Sequence, residues 1–187
     1  MDGVQLLLTR RSAARVQDPG PSPEELGLMV ESALGAPDHG RLRPWRFIVI
    51  AKDVRETLAG RLAARWRQTR PAMAPDALER ETAKLMRAPV IVVVVARVVP
   101  DGKIPEIEQM MSAAAAAQNI LLAAHALNYG AMWRTGNLAY DADMKAVLGL
   151  EATDAIVGFI YMGTPLPGAA PSQPRPDVRD FMSFWRA

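Results

Sequence analysis

The run Val90-Ile91-Val92-Val93-Val94-Val95-Ala96-Arg97-Val98-Val99 restricts the fold of this chain more than any other segment. A strand with one wet face alternates apolar and polar residues. Here apolar, mostly β-branched residues follow one another without alternation, so both faces must be covered. The segment reads as a central strand with helices on both sides. Ala155 to Met162 (Ala-Ile-Val-Gly-Phe-Ile-Tyr-Met) reads as a second strong strand, and Arg46 to Ala51 as another.

The covering helices announce themselves by spacing and by caps. Residues 2–11 give a short helix with Asp2 at its start. Ser22-Pro23-Glu24-Glu25 offers a cap, a Pro at the first position and a Glu three residues on. Leu26, Met29, Val30, Ala33 and Leu34 then share a face until Gly35 and Pro37. Asp53 and Glu56 repeat the capping pattern before Val54, Leu58, Leu62 and Trp66, and residues 76–87 suggest a further helix. Residues 105–129 form a long Ala-rich segment with no charged residue from Met110 to Met132. Length alone would fit a membrane span. Gln118, Asn119, His125 and Asn128 argue against that, and Ala is a strong helix former but a weak hydrophobe. The segment is better read as a central helix of about 24 residues, about 36 Å long, buried in the core or in a subunit interface. Gln118 and His125 share one of its faces, where satisfied core polar groups would explain them. A short helix from Asp141 to Leu148 ends at Gly149.

After Gly163 the chain becomes Pro-rich (Pro165, Pro167, Pro171, Pro174, Pro176) and ends in Phe181, Phe184 and Trp185. Such an arm must pack on something, its own domain or a partner subunit. At 187 residues, half of them apolar, the sequence suits a single domain over 1–187 with an extended arm over 165–187. The absence of Cys excludes disulfides and thiolate chemistry. Two His make a His-rich zinc site improbable. The amino terminus does not read as a signal peptide, which fits a cytoplasmic protein. A net charge of +2 does not mark a nucleic-acid binder. Four of the 22 cationic side chains are Lys and the other 18 are Arg. Codon bias also produces such an excess, so positions carry the argument rather than abundance.

Arg10-Arg11-Ser12, at the end of the first helix, combines two guanidinium forks with a hydroxyl, a set suited to a phosphate. A basic last turn favoured by the helix dipole explains it equally. The loop from Ala36 to Trp45 holds His39, Arg41, Arg43 and Trp45 between Pro37 and Pro44. It is richer in donors than a mere connector requires. A lone loop His is more often a surface residue than a ligand, and Trp45 more often core than a stacking platform. Trp133-Arg134-Thr135-Gly136 would place donors where a Gly lets backbone approach a ligand, or it is an ordinary strand edge. No Gly-x-Ser-x-Gly, phosphate-loop or Gly-x-Gly-x-x-Gly motif is present.

In order along the chain, Arg10-Arg11-Ser12, Ala36-Pro37-Asp38-His39, Pro44-Trp45-Arg46-Phe47, Gln118-Asn119, Gly130, Trp133-Arg134-Thr135-Gly136 and Gly163-Thr164-Pro165 resemble the pattern of the flavin-dependent nitroreductases. The likeness covers nearly the whole chain and is nearest to the family's small single-domain branch. It implies an α+β fold, a central mixed sheet flanked by helices, with a long buried helix and a carboxyl-terminal arm exchanged in a homodimer. It also implies two FMN at the dimer interface, NAD(P)H as electron donor and a small acceptor. Carried over by position, Arg10, Arg11 and Ser12 would hold FMN from one subunit. The backbone around Gly35, and His39, would reach the same flavin from the other. Trp133, Arg134 and Thr135 would return to the first subunit's side. Relatives often carry Arg at the Gly35 position, and the larger ones carry Asn and Gln near Arg41 and Arg43, so those contacts differ here. No acid–base pair is assigned, because the flavin carries the chemistry. Two other readings stand beside this one. The first is the same fold with dehydrogenation or biosynthetic flavin chemistry. The second is a non-enzymatic interaction module using Arg61, Arg65, Arg67 and Arg70.

Overall fold

A computed structural model of the chain describes residues 2–169 and 174–186. Its helices are α1 (Gly3–Thr9), α2 (Pro23–Ala33), α3 (Arg55–Thr69), α4 (Pro75–Thr82), α5 (Glu106–Ala126) and α6 (Ala142–Val147). Its strands are β1 (Val16–Gln17), β2 (Trp45–Ile50), β3 (Val90–Ala96), β4 (Gly130–Arg134) and β5 (Ala155–Pro165). β3 lies between β2 and β5, β4 pairs with β5, and β1 pairs with the last residues of β5. The fold is α+β, as the resemblance implied.

Every strand pairing among the described residues is antiparallel, which corrects the expectation of a mixed sheet. The reason lies in the crossover. α5 links β3 to β4, and both run antiparallel to β5, so they are parallel to each other. β5 is inserted between them and converts one parallel pairing into two antiparallel ones.

β3 is buried at all seven positions, as its composition requires. Val92, Val94 and Ala96 face a core built with α2 and α5. Ile91, Val93 and Val95 face a second core built with Leu62 and Trp66 of α3 and Met144 of α6. The period of two along the strand thus assigns alternate residues to two helical layers.

The caps follow the sequence at two helices and depart from it at a third. Ser22 and Glu25 form the full capping box on α2, and Asp2 accepts from the Gln5 N–H at 2.8 Å on α1. α3 starts at Arg55 with Val54 as its cap and no side-chain cap bond, so the Asp53–Glu56 box does not form. α5 has 21 residues rather than about 24. It buries Gln109, Ser112, Ala113, Ala116, Ala117, Ile120, Leu121 and Ala124, a stripe at helical spacing, while Ile107 and Met111 are exposed. The expected polar pair is also corrected. Gln118 is exposed, and the buried amide is Gln109. Gln109 Oε1 accepts from the Val99 N–H at 2.8 Å, and its Nε2 donates to the carbonyls of Val99 and Ile104. This one side chain ties down the loop between β3 and α5.

Residues 170–173 of the Pro-rich arm lie outside the described residues. Beyond them Phe181, Phe184 and Trp185 stand exposed, Trp185 at 89%. No helix of the described residues is long and apolar enough to cross a membrane.

Candidate functional site

α1 ends at Thr9, and Arg10, Arg11 and Ser12 follow as a half-buried connector. The connector is fixed to the sheet where the Ala13 N–H donates to the Ala131 carbonyl at 3.0 Å. That bond sets Arg10–Ser12 against β4, two residues before Trp133. Gly130, at the start of β4, makes the approach possible. A Cβ there would lie 2.9 Å from side-chain carbons of both Ala13 and Val16.

Arg11 folds back to donate to the carbonyls of Leu8 and Arg10. From the Pro-rich arm, Arg175 donates to the carbonyls of Leu7 and Leu8. Arg175 carries no signal in the sequence, because it lies 165 positions from Arg10 in a segment with no periodicity. Arg10 is held below the ordinary guanidinium value by burial, then by the charges of Arg11 and Arg175. His125, near the end of α5, meets the Thr9 hydroxyl at 3.1 Å. Its pKa is lowered by burial and then by Arg10. Among the described residues no carboxylate pairs with Arg10, Arg11 or Arg175. Arg11 and His125 line a cleft of about 480 Å³ that also includes Thr9, Asn128 and Tyr129. Such an uncompensated cationic cluster is disposed to bind an anion.

Trp133 and Arg134, adjacent on β4, face opposite sides of the sheet. The half-buried Trp133 indole packs on the α5 side and donates to the Val157 carbonyl at 3.2 Å. Gly158 leaves the room it occupies, since a Cβ there would meet the indole. Val157 also lines an apolar cleft of about 430 Å³ with Met110, Met111, Tyr140 and Lys145. Arg134 and Thr135 instead line a separate cavity on the other side of the sheet. The triplet is therefore not one surface.

His39 sits in a short helical turn, His39–Arg41, and its Nδ1 meets Glu108 Oε2 at 2.5 Å. Gly35 is exposed in the turn after α2. Asp38 Oδ2 accepts from the Arg43 N–H at 2.7 Å, and Arg41 and Arg43 both adopt positive φ (56° and 51°). Trp45 is core, only 6% exposed. Glu108 and His125 stand near opposite ends of α5, about 26 Å apart along its axis. Within one chain, then, Arg10–Ser12 and Trp133 share a sheet edge, while His39 lies at the far end of the central helix and Gly35 beside its middle, where the Ser32 carbonyl accepts from both the Gly35 N–H and Asn119. Of the arginines on α3, Arg65 pairs with Asp143. The following residue, Arg70, pairs with Asp141 and Asp143. Two of the four arginines of the suggested interaction face thus serve internal contacts between α3 and α6, while Arg61 and Arg67 stay exposed.

Comparisons with known proteins agree with one another. The Nitroreductase family model matches residues 7–164. The chain is 36% identical over 187 residues to "Putative NAD(P)H nitroreductase YdjA" of Escherichia coli (strain K12), covering 99% of this chain and all of that protein. It is 30% identical over 185 residues to a Haemophilus influenzae protein named in the same way, covering 98% of this chain and all of the relative. Among solved structures, a nitroreductase-like family protein from Bacillus cereus superposes with a TM-score of 0.82 at 21% identity, covering 100% of this chain and 97% of that one. A Desulfovibrio desulfuricans nitroreductase-type protein, solved in complex with FMN, superposes with a TM-score of 0.74 at 27% identity, covering 100% and 99%. With its fold and its sequence both matched along nearly their whole length, this chain belongs to the nitroreductase family.

Proposed function

We propose that the protein is an FMN-dependent NAD(P)H oxidoreductase that acts as a homodimer in the cytoplasm, where reduced nicotinamide is made. Its acceptor would be a nitroaromatic, quinone-like or related small molecule. The observation that carries this reading is the cluster of Arg10, Arg11 and Arg175, with no carboxylate among the described residues to neutralise it. A phosphate monoester carries the charge and the oxygens that three guanidinium groups and the Ser12 hydroxyl can satisfy. The residues fit the rest of FMN as well. The half-buried Trp133 stands on β4 two residues beyond Ala131, the residue that anchors the Arg10–Ser12 connector, and offers an aromatic side chain on the same sheet edge.

FMN, when bound, would supply the two-electron chemistry that accepts hydride from a nicotinamide and passes it to an acceptor. The chain's own work is to bind and to orient. Arg10, Arg11 and Ser12 would hold the phosphate end. The backbone of Trp133 to Thr135 would border the ring. The distance along α5 decides how His39 takes part. About 26 Å separates the two ends of the helix, so an FMN seated on Arg10 would take any contact with His39 from a second chain. The exposed Phe181, Phe184 and Trp185 favour a second copy, against which this arm would be exchanged and its aromatic residues covered.

The test is a mixed dimer. Arg10→Ala should weaken FMN binding by about 1.5–3 kcal/mol, the loss of a charged hydrogen bond, and leave the fold intact. His39→Ala should weaken it from the other side. In a heterodimer of the two variants both defects fall on one site, so the other regains parental affinity and fluorescence titration finds one tight FMN per dimer. If no tight site returns, the two residues do not serve one flavin from opposite subunits.

A further inference from the structure

Between β4, β5 and the turn before β3 lies a cavity of about 210 Å³, lined by Lys84, Arg87, Arg134, Thr135, Leu138 and Tyr161 among others. No residue lines both this cavity and the cleft beside Arg10. It is small for a cofactor, since pockets for drug-sized ligands begin at about 300 Å³. Its wall is polar in a specific way. Tyr161 is only 6% exposed, yet its hydroxyl has no hydrogen-bond partner among the described residues, and no sealed, unsatisfied polar side-chain atom exists among them. The hydroxyl therefore opens on the cavity that Tyr161 lines.

The charges around it do not cancel. Glu81 is neutralised by Lys84, its carboxylate 2.5 Å from the ammonium. Arg87 and Arg134 have neither a carboxylate partner nor a side-chain hydrogen bond among the described residues. Both are close enough to Tyr161 to act against burial, which raises its pKa, and pull that value down. Two guanidinium forks and a hydroxyl thus surround one small space with a local charge near +2.

We propose that this cavity is a second anion site that takes a phosphate group, held by Arg87 and Arg134 with Tyr161 donating its hydroxyl hydrogen. A carboxylate would be satisfied by one fork. A phosphate has three terminal oxygens and a charge near −2, which match two forks and a hydroxyl. The phosphate is either free or carried by a small molecule, and the 2′-phosphate of a nicotinamide donor is the carrier that the redox reading would supply.

The experiment titrates orthophosphate, by calorimetry and by phosphorus NMR, into the FMN-saturated protein and its Arg87→Ala and Tyr161→Phe variants. Arg10→Ala, without FMN, is a parallel sample in which the other cationic cluster is weakened. Arg87 is exposed and Tyr161→Phe keeps the ring, so circular dichroism should match the parent for both. The expected result is one phosphate site in the FMN-saturated parent and in Arg10→Ala. Arg87→Ala should weaken it by roughly tenfold or more, the range for one charged hydrogen bond, and Tyr161→Phe by a few fold. No saturable binding in the parent, or equal affinity in parent and both variants, overturns the proposal. Kinetics separate the sources. A rise in KM for NADPH but not NADH in Arg87→Ala assigns the site to the donor's phosphate. Loss of orthophosphate binding with both KM values unchanged assigns it to free phosphate. Only this kinetic arm rests on the redox reading. A protein that binds no FMN would sink that reading, while the Arg10→Ala titration would still decide the anion site.

Discussion

Replacing Gly158 by Ala tests how the sheet seats Trp133. An added Cβ would lie 2.5 Å from Trp133 Cδ1, closer still to Nε1, and 3.1 Å from the Arg134 carbonyl oxygen. The indole cannot stay, so its bond to the Val157 carbonyl is lost with its packing. Overfilling a packed site costs about 1–3 kcal/mol and the hydrogen bond about 1 kcal/mol. Against this, Gly→Ala at a position with negative φ stabilises by about 0.4–1 kcal/mol through the unfolded chain. The net loss should be about 2–3 kcal/mol. In a Trp133→Ala background both contacts with the indole are gone and the nearest atom left is the Arg134 carbonyl oxygen at 3.1 Å, so the same change should be nearly neutral. The assay is a double-mutant cycle by urea unfolding at constant m value, with FMN titrated into all four proteins. A coupling of about 2–3 kcal/mol is expected, well beyond the roughly 0.5 kcal/mol of independent sites. Additivity within that limit would refute the claim that Gly158 is Gly because of Trp133.

Asp141 is the second point of leverage. Its nearly buried carboxylate caps α6 by accepting from the N–H groups of Asp143 (2.8 Å) and Met144 (3.1 Å). It also accepts from Trp66 Nε1 at 3.2 Å and from Arg70 at 2.7 Å. Asp141→Ala removes the α6 cap, about 1 kcal/mol, and leaves the buried indole N–H unpaired, about 1–3 kcal/mol, so it should cost about 2–4 kcal/mol, the half-exposed Arg70 keeping water and Asp143. Asp141→Asn keeps the cap and should cost clearly less, both read as urea midpoints. Asp143 provides a pH test. Its pKa is lowered by the Thr69 hydroxyl first, then by Arg65 and Arg70, against burial. A lowered folded pKa contributes stability that is complete above the unfolded aspartate value, about 3.9, and is lost as pH falls through the folded value. Thr69→Val removes the largest lowering contact, so its acid loss of stability should begin at higher pH than in the parent. Coincident acid unfolding curves would count against this assignment.

Composition and period alone determined the layered plan. A strand as uniformly apolar as Val90–Ala96 has no wet face, so helices on both sides follow from the cost of leaving it uncovered. The start of α2 was legible because a capping box is a local device, its partners three residues apart. Local signals failed at two places. The Asp53–Glu56 pattern offered a cap, but the helix begins one residue later, at Arg55 with Val54 as its cap. Gln118 carried the same polar signal as Gln109, and only the packing of α5 on the sheet decided which of them is buried. The individual residues Arg10, His39 and Trp133 were visible in the sequence, but their geometry was not. That Arg10 and His39 lie at opposite ends of one helix depends on where α1 and the loop before β2 dock. That Trp133 and Arg134 part to opposite faces depends on β4 being a strand. Arg175 and Tyr161 carried no sequence signal, because a charge or a hydroxyl gains meaning only when tertiary structure removes its other partners. What the chain can hold is set by those long-range placements, and a one-dimensional pattern does not contain them.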